Sequence, residues 1–315
     1  MYVTSFPFRA HQDTPGIEAV FERILEIVFP VFAVTLIGWV CGRRQRPDLS
    51  AANRLNMEVF LPALVLSALA GDHSALASQW RPALAMVLMV LGSGLLAWPL
   101  ARLTGLSGRM LVPPMMFNNC GNLGLPLSTL AFGQEILPTA VMLFLSSNLL
   151  HFSLGAWLLD HRQRVRTLWR IPVVIASVLG LGIRVADLTI WPPLLTAIHL
   201  LGEISVPLML FSLGVKVAEA PFAHFRIGFL AGALRPLLGV GLMVPLTFAL
   251  RLHGAQAGIC LLYGALPPAV LNYMFADRYQ QSPGEVASIV VVGNLLAIVI
   301  IPLILLVVLA APRFH

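Results

Sequence analysis

The chain has 315 residues, of which 58% are hydrophobic and only 11% charged. A soluble domain averages about 25% charged residues, so this composition excludes a soluble globular protein and describes an integral membrane protein. The formal net charge of +6 would point toward nucleic acid in a soluble chain; here it is a matter of topology, and no nucleic-acid partner is expected.

Taken from the start, the first 20 residues carry Asp13, Pro15 and Glu18 where a secretory signal needs an apolar core. They read as a short tail and not as a cleavable leader. Ten segments then hold about 20 mainly apolar residues each, the length that crosses ~30 Å of hydrocarbon. They fall at 24–42, 53–70, 82–103, 109–132, 136–159, 171–187, 193–217, 227–250, 256–278 and 285–310. Cys41, Cys120 and Cys260 lie in or beside these segments, so no disulfide framework is expected. If the ten spans alternate, the odd-numbered loops share one side and collect 13 of the 20 basic residues, against six on the other. Positive loops stay in the cytoplasm. Both termini are therefore expected outside, and the basic linker 160–170 inside.

The segments repeat at an offset of about 145 residues. Arg54, Glu58, Pro62 and Ser67 recur with the same spacing as His199, Glu203, Pro207 and Ser212. Pro30-x7-Gly38 returns as Pro172-x7-Gly180, Pro99-Leu100 as Pro245-Leu246, and Asn148-Leu-Leu as Asn294-Leu-Leu. An odd number of spans per unit forces two such units to lie upside down relative to each other. The expected architecture is all-α: ten transmembrane helices in two inverted five-helix repeats, 1–159 and 171–315. Paired halves of this kind are the signature of secondary transporters.

The fourth and ninth segments do not read as ordinary helices. The fourth puts Asn118, Asn119, Gly121, Asn122 and Gly124 ahead of Pro126, and the ninth carries Pro267-Pro268 at its middle, followed by Asn272. Gly and Pro are poor helix formers, and an interior Pro removes a donor and clashes one turn back. Helices interrupted at matching places in two repeats point to a midplane site. A break also exposes the start of a half-helix, whose free N–H groups attract an anion. Asn118, Asn119, Asn122, Asn272, Asn148 and Asn294 supply amide donors and acceptors there; the alternative is that they only join helices to one another.

The run Asn119-x-Gly-Asn-Leu-Gly-Leu-Pro126-Leu, with a proline-containing ninth span ending in Asn272-Tyr-Met-Phe-Ala-Asp-Arg-Tyr279, resembles the auxin efflux carrier family. That family includes plant auxin exporters and bacterial malonate and malate permeases. The resemblance implies a fold of the bile acid sodium symporter type, with spans four and nine crossing near Pro126 and near Pro267 or Pro268. It also implies a scaffold of spans 1, 2, 6 and 7, a mobile unit of spans 3–5 and 8–10, and a homodimer. The short linker between the halves departs from the long cytoplasmic loop of some plant members and favours a compact bacterial permease of the inner membrane.

Ionisable residues within the spans are few, and each is a functional candidate. Glu58 and Glu203 occupy equivalent places with a basic residue four positions earlier, and read either as gates or proton acceptors or as interfacial ion pairs. Arg235 lies well inside the eighth span and either binds a substrate carboxylate or snorkels to the surface. His151 is a candidate proton relay or a helix-to-helix hydrogen bond. The expected function is secondary transport of a small organic anion, a mono- or dicarboxylate, by elevator-type alternating access coupled to protons or membrane potential. No GxxxxGK[ST] loop is present, so ATP is not expected to drive it. An intramembrane enzyme would show HExxH or paired mid-span Asp, and neither occurs. A sensor with the same fold would need an output domain, and a sodium-coupled symporter would want a carboxylate beside a break. No metal and no cofactor is implied.

Overall fold

The computed structural model describes residues 17–71, 79–159, 170–219 and 224–311. Among them the chain is helical throughout, without strands. Helix α1 runs over Ile17–Gln45. The second segment comprises α2 (Ser50–Leu55), a π-helical turn Asn56–Phe60 and α3 (Leu61–Gly71). Helix α4 (Trp80–Thr104) stops at Gly105, whose φ of +69° supplies the left-handed cap that glycine adopts without steric cost. The fourth segment is two helices, α5 (Gly108–Met116) and α6 (Leu125–Phe132), with a π-helical turn Cys120–Gly124 leading into the second. Gly133 (φ +84°) and a short 3₁₀ turn then open α7 (Leu137–Leu150), which passes through the π-helical turn His151–Gly155 into α8 (Ala156–Leu159).

The second half repeats this order. Helix α9 covers Pro172–Val185, α10 Pro192–Glu203, α11 Ser205–Glu219 and α12 Phe225–Ala249. The ninth segment is again divided, into α13 (Gly254–Ala265) and α14 (Val270–Arg278), and α15 (Pro283–Ala310) closes the chain. Proline stands in the first turn of α9, α10 and α15, where its missing N–H has no helical acceptor anyway.

Among the described residues, six helical stretches are long and apolar enough to cross a membrane: Glu18–Gln45, Trp80–Thr104, Gln134–Leu159, Pro192–Glu219, Phe225–Ala249 and Pro283–Ala310. Pro172–Val185 is apolar but shorter. Of the other three expected segments, the second is continuously helical through its π turn, and the fourth and ninth are broken by non-helical backbone. The linker expected at 160–170 lies outside the described residues but for Arg170.

Packing sorts the helices into two groups. Helix α1 lies along α11, and α3 lies against α9 and α10. In the other group α12 packs on α15, α13 and α4, while α4 also packs on α5 and α7. Fewer contacts join the groups: α1 with α15 and α6, α3 with α7, and α11 with the Cys120–Gly124 turn. The α1–α11 seam is made of glycine. A Cβ on Gly214 would overlap the Thr35 carbonyl oxygen, and one on Gly38 would overlap the carbonyl of Phe211. Close backbone approach of this kind suits helices in lipid, where tight van der Waals packing replaces the hydrophobic effect as the source of association.

Candidate functional site

The two breaks meet. In the fourth segment Pro113 and Pro114 lack N–H groups inside α5, and the chain leaves the helix at Phe117 (φ −105°, ψ 112°). In the ninth, Leu266 precedes a proline, which disfavours the helical region, and it takes φ −60°, ψ 143°. The two extended stretches lie antiparallel, pairing Asn118 with Pro268. Asn119 donates its N–H to the Pro267 carbonyl at 2.8 Å, and Ala269 donates to the Phe117 carbonyl at 2.9 Å. Buried backbone polar groups freed by a break are costly unless paired, and here each break satisfies the other. The crossing is centred eight residues ahead of Pro126. Pro126 follows just after the π turn, inside a helical stretch that is continuous from Cys120 to Phe132.

Most of the asparagines expected to face a solute fasten this crossing. Asn118 Nδ2 donates to the Tyr263 carbonyl at 2.6 Å, and Asn272 Nδ2 donates to the Phe117 carbonyl at 2.9 Å. Asn119 Nδ2 donates to Asn294 Oδ1 at 2.9 Å, and Asn294 Nδ2 passes the chain on to the Pro268 carbonyl at 3.1 Å and the Val290 carbonyl at 2.8 Å. Asn148 Nδ2 reaches the Phe144 carbonyl, one turn back, at 2.9 Å, with Cys120 Sγ at 3.5 Å. Asn122 is different. It is half-buried, and its side chain makes no hydrogen bond among the described residues.

Each break also opens a half-helix with free donors. Cys120 N–H is taken by the Asn118 carbonyl, and Leu123 and Gly124 N–H by that of Asn119. The N–H groups of Gly121 and Asn122 find no carbonyl among the described residues, and neither do those of Val270 and Leu271 at the start of α14. Two helix N-termini thus bring donors without a backbone acceptor, and positive dipole ends, to one crossing. Gly121 lets Phe144 and Met209 close over the turn, and Gly124 lets it seat on Tyr263 and Leu266. Beside the crossing is a narrow crevice of ≈ 40 Å³ between the two helix groups. Phe32, Thr35, Leu213 and Val217 line one wall, and Leu123, Asn294, Leu295 and Ile298 the other.

Next to the crossing, His151 stacks on Phe117 (ring centroids 4.0 Å apart, planes 6° from parallel) and meets Phe275 edge-on at 5.1 Å. Its Nε2 is buried near Asn272, and among the described residues no well-formed hydrogen bond reaches it, Asn118 Oδ1 or Asn272 Oδ1. Arg235 is completely buried, donating from Nη1 to the Gly264 carbonyl at 3.0 Å and from Nη2 to Met89 Sδ at 3.6 Å. The two glutamates lie elsewhere. Glu203 pairs with His199 at 3.4 Å, both side chains more than half exposed. Glu58 is exposed on its π turn and does not pair with Arg54, because a π turn shifts the i,i+4 alignment on which such a pair depends.

Phe117, Tyr263 and Met89 were not evident from the sequence. Tyr263 is 145 residues from Asn118, and Met89 is 146 from Arg235.

A family model described as membrane transport protein matches residues 23–162 and 157–305. The chain is 28% identical over 307 residues to an uncharacterized transporter of Methanothermobacter thermautotrophicus, covering 90% of this chain and 98% of that one. It is 28% identical over 105 residues to auxin efflux carrier component 8 of Arabidopsis thaliana and 27% identical over 106 residues to component 1. These stretches cover 32% of this chain in each case, but 29% and 17% of the two plant carriers.

Proposed function

The chain belongs to the membrane transport protein family, whose relatives include the auxin efflux carriers, and it is a transporter and not an enzyme; from that premise we propose that it carries a small organic anion, a mono- or dicarboxylate such as malonate, as a secondary active permease. The observation that carries this reading is the meeting of two half-helix N-termini at one crossing, each with N–H groups that no backbone carbonyl accepts among the described residues. A carboxylate is the natural occupant of such a position. Asn122 and the N–H groups of Gly121 and Asn122 hold it. Asn118, Asn119, Asn272 and Asn294 keep the two breaks in register around it, with Gly121, Gly124, Pro267 and Pro268 shaping the backbone.

The proposed frame is ten transmembrane helices in inverted repeats 1–159 and 171–315, with both termini outside and the linker 160–170 on the cytoplasmic side of a bacterial inner membrane. Support comes from the matching order of elements. Elevator-type movement would carry the group α4–α8 with α12–α15 against the group α1–α3 with α9–α11, in a homodimer. The glycine-sealed α1–α11 seam suits a rigid scaffold, and the crevice between the groups suits a sliding boundary. Protons or the membrane potential drive it, with His151 the candidate nearest the crossing and Glu58 and Glu203 candidates for gates at the surfaces. A sodium-coupled mechanism is favoured by one observation: two buried amide oxygens at the crossing, Asn118 Oδ1 and Asn272 Oδ1, have no well-formed hydrogen bond among the described residues.

The test is uptake of labelled malonate, malate and indole-acetate into proteoliposomes under imposed pH, sodium and voltage gradients. Accumulation of at least one acid, driven by a pH or voltage gradient without sodium, is the expected result. An absolute sodium requirement would transfer the coupling to those amide oxygens. No uptake of any organic anion would refute the substrate class.

A further inference from the structure

We propose that Arg235 is a positioning residue, which caps the carbonyl end of α13 and thereby holds the crossing in place, and that its guanidinium does not contact the solute. Helix α13 stops at Ala265, before the Pro267-Pro268 break, so its last carbonyls lack the helical N–H partners of an unbroken span. Side chains from two other elements take their place. The Tyr263 carbonyl accepts from Asn118 of the opposite break, and the Gly264 carbonyl accepts from Arg235 of α12.

The electrostatics agree. A helix C-terminus carries about half a negative charge, and no carboxylate pairs with Arg235 among the described residues. The dipole end of α13 stands where a counter-ion would stand. The backbone is shaped for this contact, because Gly239, one turn beyond Arg235 on α12, faces Gly264. A Cβ on Gly239 would run into both the Gly264 carbonyl oxygen and Arg235 Nη1. The second nitrogen, Nη2, rests on Met89 of α4, so one side chain ties α4, α12 and α13 together. Nε–H is buried without a partner, and Arg235 does not line the crevice. An arginine that reached for a solute would present its fork to open space; this one is sealed.

The role belongs to the crossing, and its bearing on transport rests on the crossing being the solute site. The test therefore reads the crossing without a solute: hydrogen exchange of the full chain in lipid nanodiscs, comparing wild type with Arg235→Met and Arg235→Lys. Methionine fills the space but offers neither charge nor donor. In Arg235→Met, peptides spanning 115–122 and 264–272 should exchange about tenfold faster or more, the scale of a lost hydrogen bond to a charged group, while α1 and α11 stay protected. Arg235→Lys restores a charged donor and should return the crossing to within about threefold of wild type. Unchanged exchange in the methionine variant would overturn the assignment, and so would equal loss of protection in α1 and α11. If the methionine variant yields no folded protein, the lysine variant decides: a protected crossing supports the assignment and an unprotected one overturns it. Where an acid is transported, a KM raised about tenfold or more in Arg235→Lys with the crossing still protected would instead make Arg235 a ligand. Failure of every uptake assay would leave the exchange result standing.

Discussion

Asn122→Ala is expected to lower uptake of the transported acid about tenfold to a hundredfold, the range set by losing one hydrogen bond to a charged group, without lowering the unfolding temperature. The two halves of that expectation have one cause. The Asn122 side chain is half-buried and makes no hydrogen bond among the described residues, so its removal leaves no protein group without a partner. It stands in the Cys120–Gly124 turn, whose Gly121 and Asn122 N–H groups find no backbone carbonyl among the described residues. A side chain held at that depth without a protein partner has its desolvation offset only when something else binds. Initial rates in proteoliposomes, beside thermal unfolding in detergent, separate the two readouts. Uptake at the wild-type rate would remove Asn122 from the site.

Asn294→Leu is expected to do the opposite and to destabilise the fold by ~2–6 kcal/mol, taking ~1–3 kcal/mol for each buried polar group left unpaired. Two groups would be stranded: Asn119 Nδ2, which donates to Asn294 Oδ1, and the Pro268 carbonyl, which accepts from Asn294 Nδ2. Both belong to the crossing, one from each break. The Val290 carbonyl would keep its ordinary helical donor. A loss of this size is a large share of a typical total of ~5–15 kcal/mol, so purified protein should be scarce or should unfold far earlier. Asn148→Leu is the control, because the Asn148 amide bonds within its own helix turn and weakly to a thiol. It should cost less than about 1 kcal/mol. Equal stability of the two variants, by denaturant titration in detergent, would mean that Asn294 does not join the breaks.

Much of this arrangement was legible in the chain, for reasons that can be named. Apolar length marks membrane helices because hydrocarbon has a thickness, and clustered Gly and Pro mark breaks because they are poor helix formers. Asn118 with Tyr263 and Met89 with Arg235 make contact at about the repeat spacing, partners that the repeat by itself did not identify. The location of the fourth-segment break was less legible. The resemblance put the crossing near Pro126, yet the chain leaves the helix at Phe117, after Pro113-Pro114, and Pro126 lies within the helical stretch that follows the break. The fate of a polar group was not legible at all. An asparagine at depth must find a partner, but sequence alone does not say whether that partner is a solute or a carbonyl across a crossing, and Asn118, Asn119, Asn272 and Asn294 found protein. The π turns were equally hidden, and one of them parts Glu58 from the arginine that its spacing suggested.

The most direct measurement is an experimental density map of the protein in lipid with a transported acid bound. The account predicts the carboxylate at the start of the Cys120–Gly124 turn, ~3 Å from the Asn122 amide groups, with Asn119 and Ala269 still bridging the two breaks. An acid bound away from both half-helix starts, or fourth and ninth segments running through the bilayer unbroken, would contradict it.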